Sequence, residues 1–119
     1  MTGDPSTMKG KVVLVPFPFD DLTTTKVRPA VCLTDPVGSH RHVILAFITS
    51  RTPVPILPTD IVLDPGQPDF AKTGLRVAST IRLHRLMTLS TTMIVRELGE
   101  LPAATHQQVI AVLSRLFTV

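Results

Sequence analysis

Short bursts of apolar residues, separated by prolines and polar segments, run through most of the chain. Eleven prolines are spread along it, and proline removes a backbone donor and interrupts a helix. Apolar runs rich in β-branched residues and bounded by turn residues are typical of strands. The pattern therefore predicts short β-strands at Val12–Phe19, Pro29–Leu33, His42–Thr49, Asp60–Leu63, Ser79–Leu83 and Met93–Leu98.

The last part of the chain has a different period. After Pro102, apolar residues recur at spacings of three and four, which marks one face of a helix. They are Val109, Val112, Leu113, Leu116 and Phe117. We therefore expect a mainly β (α+β) fold, an SH3-like antiparallel barrel of short strands with a C-terminal α-helix.

The chain has the size of one domain, with 119 residues of which 44% are hydrophobic. Residues 1–8 are mostly polar, so we predict a flexible N-terminal extension followed by a single domain at residues 9–119. The N-terminus lacks the apolar segment of a signal peptide, and the apolar runs are too short to span a bilayer. These features predict a cytoplasmic protein with no membrane partner.

Cysteine and histidine are too sparse to suggest a metal centre. The single cysteine, Cys32, lies in an apolar stretch and is predicted to be an inert core residue. His40 and His42 lie close together, but no second cluster completes a tetrahedral zinc site. The sequence also has no glycine-rich phosphate loop or paired carboxylates, which disfavours kinase-like and two-metal nuclease chemistry. We expect no metal and no other cofactor.

The chain is basic, with a formal net charge of +3 and a pI near 9.6. Lysine and arginine side chains gain affinity for a polyanion by displacing its counterions. The excess of positive charge therefore favours a phosphate-bearing partner.

Several short motifs occur along the chain in a specific order. Residues 9–19 are Lys-Gly-Lys-Val-Val-Leu-Val-Pro-Phe-Pro-Phe, an Arg-Pro pair stands at 28–29, and an apolar strand ends in a Thr-Ser pair at 49–50. Residues 79–83 and 87–89 have the form of late strands, and 95–101 leads into the final helix. In this order and spacing the motifs resemble the MazF/PemK toxin family over roughly residues 9–117.

The resemblance implies the toxin of a type II toxin–antitoxin system. Such a protein is a sequence-selective, metal-independent endoribonuclease that cleaves single-stranded RNA by attack of the 2′-hydroxyl. The resemblance also implies a cognate antitoxin partner and a homodimer. The chain departs from some relatives at His84, where they have an aspartate two positions after the arginine that Arg82 matches.

We predict catalytic roles for Arg28, Thr49, Ser50, Arg82 and His84. A planar guanidinium can stabilise the extra negative charge of a phosphorane, and a hydroxyl can donate to a non-bridging oxygen. A neutral histidine can accept a proton and later return it. Alternation at period two predicts that His84 shares the face of Arg82.

Four further residues are predicted to bind RNA. Lys26, Arg51 and Arg85 can contact phosphates. The sequence has no Trp and no Tyr, so Phe70 is the candidate for stacking against a base.

Two other functions fit the same fold. A gyrase-poisoning toxin of the CcdB type resembles the MazF family in fold but cleaves nothing. A non-catalytic SH3-like module could bind nucleic acid or peptide, although such modules usually present an aromatic ligand face and only 4% of these residues are aromatic.

Overall fold

The computed structural model of the protein describes residues 7–16 and 26–118. The end of the strand predicted at Val12–Phe19 therefore lies outside the described residues, as does most of the predicted N-terminal extension. The elements are β1 Lys11–Pro16, β2 Val27–Cys32, β3 His42–Thr49, β4 Asp60–Leu63, β5 Ser79–Ser90, β6 Arg96–Glu100 and α1 Ala103–Phe117.

The strands form one antiparallel sheet in the order β4-β5-β3-β2-β1-β6. The sheet curves into a half-barrel, which confirms the predicted mainly β fold with a C-terminal helix. No helix in the described ranges is long and apolar enough to cross a membrane.

The two faces of the sheet carry separate apolar clusters, because side chains alternate along each strand. The first, which we call the helix-side cluster, includes the buried residues of α1. It comprises Val12, Val31, Ala46, Ile48, Ile61, Leu63, Ile81, Leu83, Leu101, Val109 and Val112. The second, which we call the opposite-face cluster, comprises Val13, Val15, Ala30, Cys32, Val43, Leu45 and Phe47.

Two strands differ from the sequence prediction. β5 was expected to end at Leu83, but it continues to Ser90 and pairs with β3 as far as His42. β6 begins at Arg96 rather than at Met93, because Thr91–Met93 form a 3-10 turn. Pairing with β3 carries β5 to Ser90, and β6 pairs with β1 from Arg96. Neither register is visible in the local sequence.

β2 and β3 separate part-way along their length. They pair only at Ala30–Cys32, whereas β2 pairs with β1 from Val31 as far as Val27. The separation begins at Pro29, which has no backbone N–H to donate to a sheet ladder. Continuing the register beyond the Ala30–Phe47 pair would place Arg28 opposite Thr49, so the gap opens between these two residues.

β5 carries a large bulge on the edge that faces β3. Phe47 pairs with Arg82 while the adjacent Ala46 pairs with Leu86, so three residues of β5 (83 to 85) have no counterpart on β3. An odd number of extra residues inverts the alternation of side chains. Met87, beyond the bulge, accordingly packs against the opposite-face cluster.

Cys32 is buried in the opposite-face cluster. Burial raises the pKa of its thiol to about 12, and the negative charge of Glu97 adds to the increase. The thiol is therefore protonated at neutral pH, which makes it a poor nucleophile.

Two glycines allow a 3-10 turn at Phe70–Thr73 to lie directly against β6. A Cβ built on Gly99 would lie 2.1 Å from the carbonyl oxygen of Lys72, and one on Gly74 would lie 2.1 Å from that of Leu98. Gly74 also has a positive φ of 73°, which disfavours other residues. The turn can pack this closely only because both side chains are absent.

We therefore expect Gly99→Ala to lower the free energy of unfolding by about 1–3 kcal/mol, since the added methyl group must displace backbone atoms. Urea denaturation of the purified protein measures the change. The matched control is Gly66→Ala, whose Cβ would meet nothing closer than 3.5 Å. A change at Gly99 no larger than at Gly66 would contradict the close approach.

Candidate functional site

A pocket lies where β2 and β3 separate. Its volume is about 220 Å³, below the roughly 300–1,000 Å³ typical of pockets for drug-sized ligands. It is lined by Arg28, Phe47, Ile48, Thr49, Ser50, Arg51, Arg82 and Arg85. A space of this size with four arginines in its wall suits a small anionic group such as phosphate.

The arginines reach the pocket from three places in the chain. Arg28 is on β2 at the point where β3 has left it, and Arg51 follows the end of β3. Arg82 and Arg85 lie on β5 at either end of the bulge. Because the bulge inverts the alternation between them, both can line the pocket although they are three residues apart.

Arg82 is held by a carboxylate on the neighbouring strand. Asp60 of β4 is its cross-strand partner. Arg82 donates from Nε to Asp60 Oδ1 at 3.0 Å and from Nη2 to Oδ2 at 3.4 Å. The Asp60 side chain is 0% exposed, while that of Arg82 is 23% exposed. The buried carboxylate thus fixes one edge of the guanidinium.

The hydroxyl groups lie at the end of β3. Thr49 Oγ1 accepts a hydrogen bond from the backbone N–H of Arg51 at 3.2 Å. Since this bond occupies a lone pair, the hydroxyl proton of Thr49 can still be donated to a ligand. Ser50 is exposed beside it. The pocket therefore combines cationic and hydroxyl donors, the groups that bind phosphate oxygens.

The structure brings together most of the residues singled out from the sequence. Arg28, Thr49, Ser50 and Arg82, predicted to be catalytic, all line the pocket, and so do two of the predicted RNA-binding residues, Arg51 and Arg85. Lys26 is exposed one residue before β2 and is not among the lining residues.

His84 was predicted to share the face of Arg82 on the basis of strand alternation. It lies within the bulge and is not part of the pocket lining. Its Nδ1 lies 2.8 Å from Thr59 Oγ1. The extra residues of β5 interrupt the regular alternation on which that prediction rested.

Phe70 also lies away from the pocket. It starts the 3-10 turn and is partly buried against the helix-side cluster. In this position its ring serves the core rather than the pocket wall.

Two contributors to the site had no signal in the sequence. Phe47, which falls within a predicted strand, belongs to the opposite-face cluster and also forms part of the pocket wall. Asp60 was assigned only to a strand. Its pairing with Arg82 follows from the register of β4 against β5, and an alternating pattern alone does not supply that register.

The sequence profile of PemK-like, MazF-like toxins of type II toxin–antitoxin systems matches residues 8–117. The match spans nearly the whole chain, including every residue of the pocket. The chain belongs to this toxin family.

Solved structures of similar fold come from the same family. MazF-mt6, a toxin of Mycobacterium tuberculosis, is 21% identical, with a TM-score of 0.68 over 90% of this chain and 95% of its own. MazF of Deinococcus radiodurans is 20% identical, with a TM-score of 0.69 over 95% and 97% of the two chains.

An endoribonuclease from a mycobacterial species, solved with its cognate antitoxin, is 16% identical, with a TM-score of 0.66 over 92% of each chain. No curated protein sequence is significantly similar to this chain. At these identities the solved structures establish the fold.

Proposed function

We propose that this toxin is an endoribonuclease that cleaves single-stranded RNA in a sequence-selective way. The observation that carries the proposal is the pocket in which Arg28, Arg51, Arg82 and Arg85 surround the hydroxyls of the Thr49–Ser50 pair. A similar fold in a protein described as an endoribonuclease supports it.

In the proposed reaction the 2′-hydroxyl of the substrate attacks the adjacent phosphorus, and the bond to the 5′-oxygen breaks. The products are a 2′,3′-cyclic phosphate and a free 5′-hydroxyl. Arg28 and Arg82 stabilise the additional negative charge of the phosphorane, and Thr49 donates to a non-bridging oxygen. Arg51 and Arg85 hold the neighbouring phosphates.

Proton transfer in this proposal depends on the field of the arginines. Among the residues the structure describes, the lining includes no Asp, Glu or His. A dense positive field favours the 2′-alkoxide over the neutral hydroxyl, so water can take its proton. Water likewise supplies the proton that the leaving 5′-oxygen acquires.

The proposed reaction needs no metal ion. Carboxylates and imidazoles are the usual ligands of catalytic cations, whereas arginine side chains repel a cation. The arginines take the place that a divalent ion would have beside the phosphorane.

A cognate antitoxin and a second copy of the chain are the proposed partners. MazF of Deinococcus radiodurans has been solved with MazE, and the mycobacterial endoribonuclease with its antitoxin. An acidic antitoxin segment would complement the arginine pocket and exclude RNA from it.

We expect Arg28→Ala to reduce the cleavage rate by about 10²–10³-fold, because the phosphorane loses a charged donor. The measurement is single-turnover cleavage of a purified, long single-stranded RNA of mixed sequence. Arg115→Ala, which removes the same charge from the last turn of α1, is the matched control and should cleave at the wild-type rate.

Cleavage by Arg28→Ala at the rate of the Arg115→Ala control would refute the proposed role of the pocket. The same assay with EDTA tests metal independence, and wild-type activity should persist. Because no topoisomerase is present, cleavage of bare RNA also separates this function from that of a CcdB-type toxin.

The absence of His84 from the pocket lining argues against the acid–base role predicted for it from the sequence. We expect His84→Ala to keep the wild-type pH–rate profile and most of the activity, because the ring contacts Thr59 outside the pocket lining. Loss of a true general base would cost about 10²–10⁴-fold. Cleavage rates of His84→Ala and wild type between pH 5.5 and 8.5 are the measurement. A loss of about 10²-fold or more in His84→Ala would show that His84 acts as a general base.

We also expect a homodimer in solution. Exposed apolar side chains on one element favour association, and Ile110, Leu116 and Phe117 of α1 are exposed by 53%, 39% and 64%. Light scattering at micromolar concentration should give twice the 13.0 kDa mass of the chain. A monomeric mass under those conditions would rule the assembly out.

A further inference from the structure

Asp60 is a buried charge at the edge of the pocket. Its side chain is fully buried, and burying a carboxylate is costly unless it is paired and hydrogen-bonded. Oδ1 accepts from Arg82 Nε, and Oδ2 accepts from Arg82 Nη2 and from the backbone N–H of Leu57 at 2.9 Å. Both oxygens are therefore engaged by groups of the protein.

These bonds fix Arg82 in one orientation. The guanidinium is planar and rigid, so binding through Nε and Nη2 sets the direction of the whole group. The edge formed by Nη1 and the remaining proton of Nη2 stays available for a ligand in the pocket that Arg82 lines. An arginine held in this way donates to phosphate without first losing side-chain freedom.

Asp60 also attaches the segment that follows the pocket. Leu57 donates its N–H to the Asp60 carboxylate and accepts the Asp60 N–H at 3.0 Å. This closes the turn between Arg51, which lines the pocket, and β4. The same carboxylate thus holds Arg82 and the chain leading away from Arg51.

We propose that Asp60 is a positioning residue for RNA cleavage, which orients Arg82 toward the scissile phosphate. The inference rests on the proposed ribonuclease function of the pocket. Asp60 does not touch the substrate, because its carboxylate is buried and is not part of the lining. It acts only through Arg82.

Electrostatics and positioning make opposite predictions for the loss of this carboxylate. Removing a negative charge raises the positive potential of the pocket, so RNA binding should be unchanged or tighter. Releasing Arg82 disorders a donor needed in the transition state, so turnover should fall. A fall in kcat without a rise in KM therefore distinguishes the loss of positioning from a general change in charge.

The test begins with Asp60→Asn, which removes the charge and nearly keeps the shape. Substrate is a short fluorogenic RNA that contains a cleavage site mapped with the wild-type protein. We expect kcat to fall by about 10- to 100-fold, as for a misplaced reacting group, with KM no higher than in the wild type. The control is Asp64→Asn, which makes the same charge change at a carboxylate that accepts from the backbone N–H of Gly66 and should leave both constants unchanged.

A double-mutant cycle with Arg82→Gln shows whether Asp60 acts through Arg82. In that background Asp60→Asn should cost little further activity, because the group it orients is already absent. An equal loss in both backgrounds, a wild-type kcat in Asp60→Asn, or a raised KM with normal kcat would each overturn the inference.

Circular dichroism establishes that each variant is folded. If Asp60→Asn is not, Asp60→Glu keeps the carboxylate but displaces it by one methylene, and we expect it to lower kcat and not KM. A wild-type kcat in Asp60→Glu then counts against positioning. Failure of the proposed function looks different, since the wild-type protein itself would not cleave the RNA.

Discussion

The separation of β2 from β3 at Pro29 is the constraint on which the site depends. Proline cannot donate to the ladder, so the two strands pair at Ala30 and diverge immediately beyond it. Without this divergence Arg28 and Thr49 would face each other across a closed sheet, with no room for a ligand. The opening leaves both side chains on rigid strands with space between them, which is the condition for a preorganised site.

The bulge in β5 supplies two of the four arginines in the pocket that the separation of β2 from β3 opens. It inverts the alternation of the strand and brings Arg82 and Arg85 to the same pocket. Four like charges at close range repel one another. Contact with solvent and the buried partner Asp60 reduce this repulsion, and a bound phosphate would reduce it further. The same concentration of positive charge attracts a polyanion.

Stability and function are placed on different faces of the sheet. α1 and the helix-side cluster occupy one face, and the pocket lies at one end of the opposite-face cluster, where Phe47 belongs to both. Cross-strand neighbours explain the placement, since Ala30, Phe47, Arg82 and Asp60 follow one another across four strands. A polar site can therefore sit at the end of an apolar surface without interrupting the core beneath the helix.

The sequence by itself predicted the succession of strands and the terminal helix, and four of the five residues that it marked as catalytic line the pocket. Each of these depends on local pattern or on a short motif. It did not determine which side chains share a face beyond Leu83, or that Asp60 would hold Arg82. Those depend on the register of β5 against β3 and β4, which is set by residues far apart in the chain. The three extra residues of β5 place Arg85 in the pocket wall with Arg82 and leave His84 out of the lining, and only the assembled sheet decides such a register.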